Sequence, residues 1–286
     1  MPRLRRLNPV RLWRGAPGWA RLGAKTLCAL VVIGAAWFAW FLYWAPLPRG
    51  IADPAPLTTV YLDAKGRLVA EIAGPEARSH RPVPLAQMGP WMPAAMVEME
   101  DRRFYSHPGV DALGTARALL ERRGGGSTIT QQYVKIATGR KGRGILSKIR
   151  EAFLALQLER RWPKEKILEA YLNRVPFGNR LIGVEAASEA YFDKPAQSLT
   201  KAEAIFLAGL PREPSLLNPW SHADAARLRF DGARRLLVAR GFLGAQEGDE
   251  MLPPAVGRHL PVNDAPNFIS IAAARARRTG IVRVTL

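Results

Sequence analysis

The chain has 286 residues, is 48% hydrophobic and carries a formal net charge of +18. That length holds one large domain or two small ones with an ample core, and the cationic excess calls for an anionic partner. A single cysteine, Cys28, excludes a disulfide framework and a thiolate metal cluster.

Residues 1–26 contain Arg3, Arg5, Arg6, Arg11, Arg14, Arg21 and Lys25 and no acid. Residues 27–45 carry no charge and, at 1.5 Å per residue, nearly span a hydrocarbon core of about 30 Å. Trp37, Trp40, Tyr43 and Trp44 gather toward the far end, where amphipathic rings favour the interface. Positive-inside bias then predicts a single-pass anchor with a cytoplasmic N-terminus and the remainder outside the cytoplasm. The long apolar run without a small-x-small site favours an uncleaved anchor over a signal peptide. On that side of the membrane nucleic acid is not an expected partner. Anionic membrane lipids or a phosphorylated lipid substrate fit the charge better.

Residues 46–56 are Pro-rich and read as a stiff spacer. Residues 59–62 and 68–72 flank Asp63-Ala64-Lys65-Gly66, a hairpin pattern, and 74–90 look irregular. Helical patterning starts at Pro93, a residue suited to a first turn, and continues to Met99. A second helix is predicted over 110–123. Thr128 and Gln131 have capping-box spacing and open a third helix to about 137. The glycine-broken basic stretch 138–144 reads as a mobile loop. The strongest helix covers 145–162, with Leu146, Ile149, Phe153, Leu156 and Leu158 on its apolar face. Pro163 opens another helix to about 173. Residues 178–192 are rich in small residues, Thr200 and Glu203 cap a helix ending at Leu210, and a last helix spans 223–240. The tail 280–286 has strand character but no partner close in sequence. The predicted architecture is mainly α, with a small N-terminal β-hairpin, after one transmembrane helix. Its segments are a basic tail (1–26), the span (27–45), a linker (46–56), a main domain (57–245) and a C-terminal extension (246–286).

Candidate chemistry begins at Glu100, a carboxylate at a predicted helix end before a loop shaped by Pro108-Gly109. Asp101 is its chain neighbour and cannot share its helix face, so it reads as a hydrogen-bonded brace, and His107 reads as structural. Gly124 to Gly126 let backbone approach a ligand closely. Ser127, Thr128, Thr130, Gln131 and Gln132 then place hydroxyls and amides at a helix N-terminus, which favours anions. Lys135 lies one turn beyond Gln131. Lys148 and Glu151 are i,i+3 partners: either a surface pair contributing at most about 0.5 kcal/mol, or a cation and second carboxylate facing the same cleft. Arg140, Lys141, Arg143 and Arg150 lie nearby in sequence, a density that suggests a pyrophosphate site. Lys166 and Glu169 read as structural, with Asn173 as a helix-end cap.

These residues fall into motifs that resemble the glycosyltransferase domain of class A penicillin-binding proteins and the monofunctional peptidoglycan glycosyltransferases. Glu-Asp-x-x-Phe-x-x-His-x-Gly appears at Glu100, Asp101, Phe104, His107 and Gly109, and Gly-Gly-Ser-Thr-x-Thr-Gln-Gln at Gly125 to Gln132. The family's Arg-Lys-x-x-Glu is represented by Ser147, Lys148 and Glu151, and Lys-x-x-Ile-Leu-Glu-x-Tyr-Leu-Asn by Lys166 to Asn173. A Gly-x-x-x-Ala-Ala/Ser-x-x-Tyr-Phe element at Gly183 to Phe192 and Leu210-Pro211 follow, and Arg174-Val175-Pro176-Phe177-Gly178 is most similar to the C subtype.

The resemblance implies a lysozyme-like helical fold with a mobile lobe at the membrane that includes the loop around Arg140 to Gly144. It implies polymerisation of lipid II, with the growing glycan chain as donor, inversion at its anomeric carbon and release of undecaprenyl pyrophosphate. By the same resemblance Glu100 is the general base on the acceptor 4-hydroxyl and Glu151 the second carboxylate. Ser127, Thr128, Gln131, Lys135, Arg143, Lys148 and Arg150 hold pyrophosphate and sugars. Asp101, Phe104, His107, Gly109, Glu169 and Asn173 support the motifs. A divalent cation, Mg2+ or Mn2+, assists the leaving group in the family, although no protein-held metal site is read from the residues. A cell-wall synthesis complex is the implied setting.

Two features depart from the pattern. Ser147 stands where most members carry Arg, which removes one cation. The extension 246–286 is expected to start a linker toward a transpeptidase domain, with a monofunctional enzyme as the alternative. Two other readings stay open, an inactive membrane-tethered scaffold and a lysozyme-like muramidase or lytic transglycosylase.

Overall fold

The structure, a computed structural model, describes residues 17–52, 58–65, 68–73, 79–114, 126–139, 144–259 and 281–283. The chain divides into two compact units, Met1–Pro46 and Leu47–Leu286.

In the first unit, helix α1 runs over Gly18–Tyr43. Its 26 residues extend about 39 Å at 1.5 Å each, long enough and apolar enough to cross a membrane. Leu30, Val31, Val32, Ile33 and Trp37 are exposed along it. One such apolar helix is consistent with a single membrane anchor. It begins nine residues before the uncharged run, directly after Pro17, and no proline lies between Gly18 and Thr26.

The second unit is mainly helical with small β elements. Its short helix α2 (Arg49–Ala52) lies in the stretch expected to be a stiff spacer. Ile51 is fully buried and its carbonyl accepts from Tyr133 Oη at 2.9 Å. A Cβ on Gly50 would lie 2.5 Å from the Ala137 carbonyl oxygen, so this turn fits only because position 50 has no side chain. Strands β1 (Thr58–Leu62) and β2 (Leu68–Ala73) form the expected antiparallel hairpin. Strand β5 (Ile281–Arg283) pairs in parallel with β1, giving the order β2-β1-β5. The tail strand therefore has a partner, far away in sequence. Strands β3 (Ser79–His80) and β4 (Leu181–Ile182) form a second, two-stranded parallel sheet.

The helices are α3 (Trp91–Glu100), α4 (Ile129–Ala137), α5 (Ile145–Glu159), α6 (Lys164–Leu172), α7 (Val184–Phe192), α8 (Lys201–Gly209), α9 (Ala223–Ala239) and α10 (Ala245–Glu250). The helix expected over 110–123 is helical at 112–114, and its remainder lies outside the described residues. Capping boxes at Thr128/Gln131 and Thr200/Glu203 satisfy the first N–H groups of α4 and α8, which explains where those helices start. Two packing groups follow: α8 against α3 and α9, and α4 against α5 and α6. Their buried side chains include Met92, Met96, Ile205 and Phe230 in the first and Tyr133, Leu158, Ile167 and Tyr171 in the second. Beyond α10, Gly257 N donates to Tyr191 O at 2.8 Å and His259 N to Ala190 O at 3.0 Å, so the extension lies along α7.

Residues 80–85 are fastened to the end of α6. Asn173 accepts from Val83 N at 3.0 Å and donates to Val83 O at 2.9 Å, while Glu169 accepts from Leu85 N at 2.8 Å. Buried His80 donates through Nε2 to Asn173 O at 2.9 Å. Burial, and then the charge of Arg174, lower its pKa to about 4. A His whose folded pKa lies below its unfolded value contributes stability that is complete above about pH 6.5 and lost as pH falls toward 4. Between pH 7 and 4.5 this loss is on the order of 2 kcal/mol. Urea unfolding of wild type and His80→Gln at both pH values should show that extra loss in wild type only.

Candidate functional site

Helix α3 ends at Glu100 because the chain turns at Asp101, whose backbone leaves helical geometry. The Asp101 carboxylate accepts from His107 Nε2 at 3.0 Å and from Ile129 N, the first residue of α4, at 2.9 Å. An anionic group at this helix start is favoured by the orphan N–H groups and the macrodipole. Gly109 N donates to His107 Nδ1 at 3.1 Å, so the imidazole proton sits on Nε2. Phe104 is fully buried beneath the Lys164 ammonium, 4.4 Å from its ring centroid. Lys164 also donates to His107 O at 2.7 Å and pairs with Glu159, which accepts from Thr130 Oγ1 at 2.5 Å. The loop after Glu100 is thus pinned to α4, α5 and α6 together.

Gly109 closes this arrangement. Its φ of 103° is left-handed, and a Cβ there would lie 2.7 Å from the Ala155 carbonyl oxygen of α5. Gly109→Ala should destabilise the domain by at least about 3 kcal/mol, measured by denaturant unfolding, because backbone strain and a backbone clash coincide.

A cleft of about 640 Å³ opens where the ends of α3 and α8 meet α4 and α5. Its walls carry Glu100, Ser127, Gln131, Gln132, Lys135, Lys148 and Glu151, completed by Val175, Pro176, Pro211 and Arg212. Lys148 Nζ donates to Ser127 Oγ at 2.8 Å and lies 3.4 Å from the Glu151 carboxylate. Glu151 is 8% exposed and Lys148 57%, so a cation at the cleft mouth neutralises a buried acid. Half-buried Glu100 accepts from Gln132 Nε2 at 2.8 Å. The arrangement offers a carboxylate held by a neutral amide at one side and hydroxyl, amide and ammonium donors at the other, suited to a proton acceptor facing a phosphate-bearing leaving group.

The remaining sequence candidates fall elsewhere. Thr128 is buried with its hydroxyl committed to Gly109 O and Gln131 N, so it caps α4 and does not line the cleft. Arg150 lines a small neighbouring crevice with Ser147, Thr138 and Glu151. Arg143 lies outside the described residues. Glu169 and Asn173 hold the segment around Val83 and Leu85, as above. Arg212 and the specific role of Gln132 were not singled out from sequence. The basic residue directly after Pro211 was the available signal for Arg212. One Ser-x-x-Lys spacing is present, Ser198 to Lys201. Lys201 is engaged with Glu247 at 2.6 Å and lies over the Trp91 ring at 4.7 Å, so it is not placed to activate a nucleophile.

No group of three or more His, Cys, Asp or Glu side chains among the described residues could hold a metal ion, and Glu151 is already paired with Lys148.

A family model described as Transglycosylase matches residues 65–238, which include every cleft residue. The chain belongs to the transglycosylase family. Penicillin-binding protein 1A of Mycobacterium tuberculosis is 33% identical over 284 residues, covering 93% of this chain and 33% of that protein. Penicillin-binding protein 1A of Escherichia coli is 36% identical over 206 residues, covering 69% of this chain and 24% of that protein. The chain therefore spans about a third or less of these relatives' length. Among solved structures, penicillin-binding protein 1A of Haemophilus influenzae aligns with 77% of this chain and 24% of its own, at a TM-score of 0.41 and 18% identity.

Proposed function

We propose that this transglycosylase-family chain is a peptidoglycan glycosyltransferase that polymerises lipid II, with a lysozyme-like helical domain of the class A penicillin-binding protein type. The observation that carries the reading is one cleft holding Glu100 apart from a Ser127–Lys148–Glu151 cluster. Glu100 takes the proton of the acceptor sugar's 4-hydroxyl. The freed oxygen forms a bond to the donor anomeric carbon from the face opposite the pyrophosphate, and the carbon–oxygen bond to undecaprenyl pyrophosphate breaks with inversion. Lys148, Lys135, Ser127 and Gln131 stabilise the negative charge that develops on the leaving group, where preorganised donors are most effective. Arg212 adds a cation from the α8 side. Mg2+ or Mn2+ would arrive with the substrate's pyrophosphate. With α1 as a single-pass anchor and a cytoplasmic N-terminus, the cleft works periplasmically beside a lipid-borne substrate, within a cell-wall synthesis complex.

The test is conversion of purified lipid II by the full chain in detergent, with and without EDTA. Polymer is the expected product. Release of muropeptides from isolated cell wall without lipid II would replace the reading with a muramidase, and lipid II binding without turnover would replace it with a scaffold.

A further inference from the structure

We propose that Tyr171 and Gln132 form a positioning relay that aims and holds Glu100, an inference that rests on Glu100 being the base. Tyr171 Oη donates to Gln132 Oε1 at 3.0 Å, and Gln132 Nε2 donates to Glu100 Oε2 at 2.8 Å. The three residues come from α6, α4 and the last position of α3, so one chain of hydrogen bonds ties three helices at the cleft floor.

The polarity of this chain is fixed by chemistry. An ionised carboxylate only accepts, so the Gln132 amide must turn its nitrogen to Glu100. Its oxygen then faces Tyr171, and the phenol must donate. A flipped amide would set oxygen against carboxylate and leave the buried phenol facing N–H donors. Tyr171 is fully buried, and burial together with the charges of Glu100 and Asp101 pushes its pKa well above the ordinary value, so it remains a donor.

Glu100 needs such a support. It sits at the C-terminal end of α3, where the macrodipole disfavours an anion. Its neighbour Asp101 cannot help, since a carboxylate that accepts from His107 and Ile129 has no donor to offer. Gln132 is the hydrogen-bond partner of Glu100 among the described residues, and its donor is neutral. It fixes the carboxylate through a neutral donor, with the Arg229 guanidinium acting on Glu100 only through its field, whereas Glu151 is paired directly with the Lys148 ammonium. The two adjacent glutamines are thereby distinguished: Gln131 closes the capping box of α4, and Gln132 points a different way around the helix and serves Glu100.

The experiment is steady-state lipid II polymerisation by the full chain for wild type, Tyr171→Phe, Gln132→Met and the double variant. Tyr171→Phe keeps the ring and should lower kcat about tenfold with KM within twofold, because the substrate is bound as before but the base is mis-aimed. Gln132→Met should lower kcat about 100-fold, and adding Tyr171→Phe to it should cost no more than twofold further. Tyr171→Phe within twofold of wild type, or losses that simply multiply in the double variant, would overturn the relay while leaving the glycosyltransferase reading intact. Absence of polymer from wild type would reject that reading instead. A second double-variant cycle on unfolding in urea reads the Tyr171–Gln132 coupling independently of turnover, and its absence would also overturn the relay.

Discussion

Glu100→Gln is expected to lower the rate of lipid II polymerisation about 10³-fold while leaving lipid II affinity within about threefold, the range expected for loss of a positioned general base. The substitution is close to isosteric. Gln132 can still donate to the new side-chain oxygen, so the geometry at the end of α3 survives. The loop behind it is held by Asp101, His107 and Gly109, none of which changes. On the proposed reading, what disappears is the capacity to accept a proton from the acceptor hydroxyl. The readout is polymer formed per unit time, with binding followed by a fluorescent lipid II analogue. Activity within threefold of wild type would remove Glu100 from the role of base. Equal loss of binding and rate would point to a substrate-binding carboxylate instead.

The parts of this site that could be read from sequence are those set by local rules. The starts of α4 and α8 follow from Thr128/Gln131 and Thr200/Glu203, because a capping box is closed within four residues. The apolar spacing of α5 marks it without any knowledge of its partners. The loop after Glu100 was legible as a loop from Pro108-Gly109, but Gly109 needs more than a turn: its Cα faces the backbone of Ala155, a contact no local pattern contains. The same holds for Tyr133 on Ile51, 82 residues away, and Asn173 on Val83, 90 residues away. The first turns a supposed spacer into a packed helical turn. The strand β5 was recognisable by composition, whereas its parallel pairing with β1 depends on a long crossover that composition does not encode. Among the cleft residues, Gln131 is marked as a cap by its spacing from Thr128, whereas no local pattern marks Gln132 as the partner of Glu100, 32 residues away.

Lys148→Met should lower kcat/KM for lipid II about 100-fold, with less than about 1 kcal/mol lost from stability. The two effects separate because of where the ammonium lies. It is 57% exposed, so solvent screens its contribution to folding. At the cleft it is the common partner of Ser127 Oγ and Glu151, and removing it frees both. Glu151, only 8% exposed, would then face the same space as the negatively charged leaving group, and repulsion adds to the loss of the cation. Lys148→Arg should recover part of the rate, since charge returns with altered reach. The missing motif cation bears on the same point. Ser147 opens on the small crevice shared with Arg150 and Glu151, one wall away from the cleft. An Arg introduced at 147 would meet Arg150 there, so Ser147→Arg should raise kcat/KM by no more than a few-fold in a chain that retains Lys148. A 100-fold gain from Ser147→Arg, or an unaffected Lys148→Met, would shift the leaving-group site from the Ser127–Lys148–Glu151 cluster to that crevice.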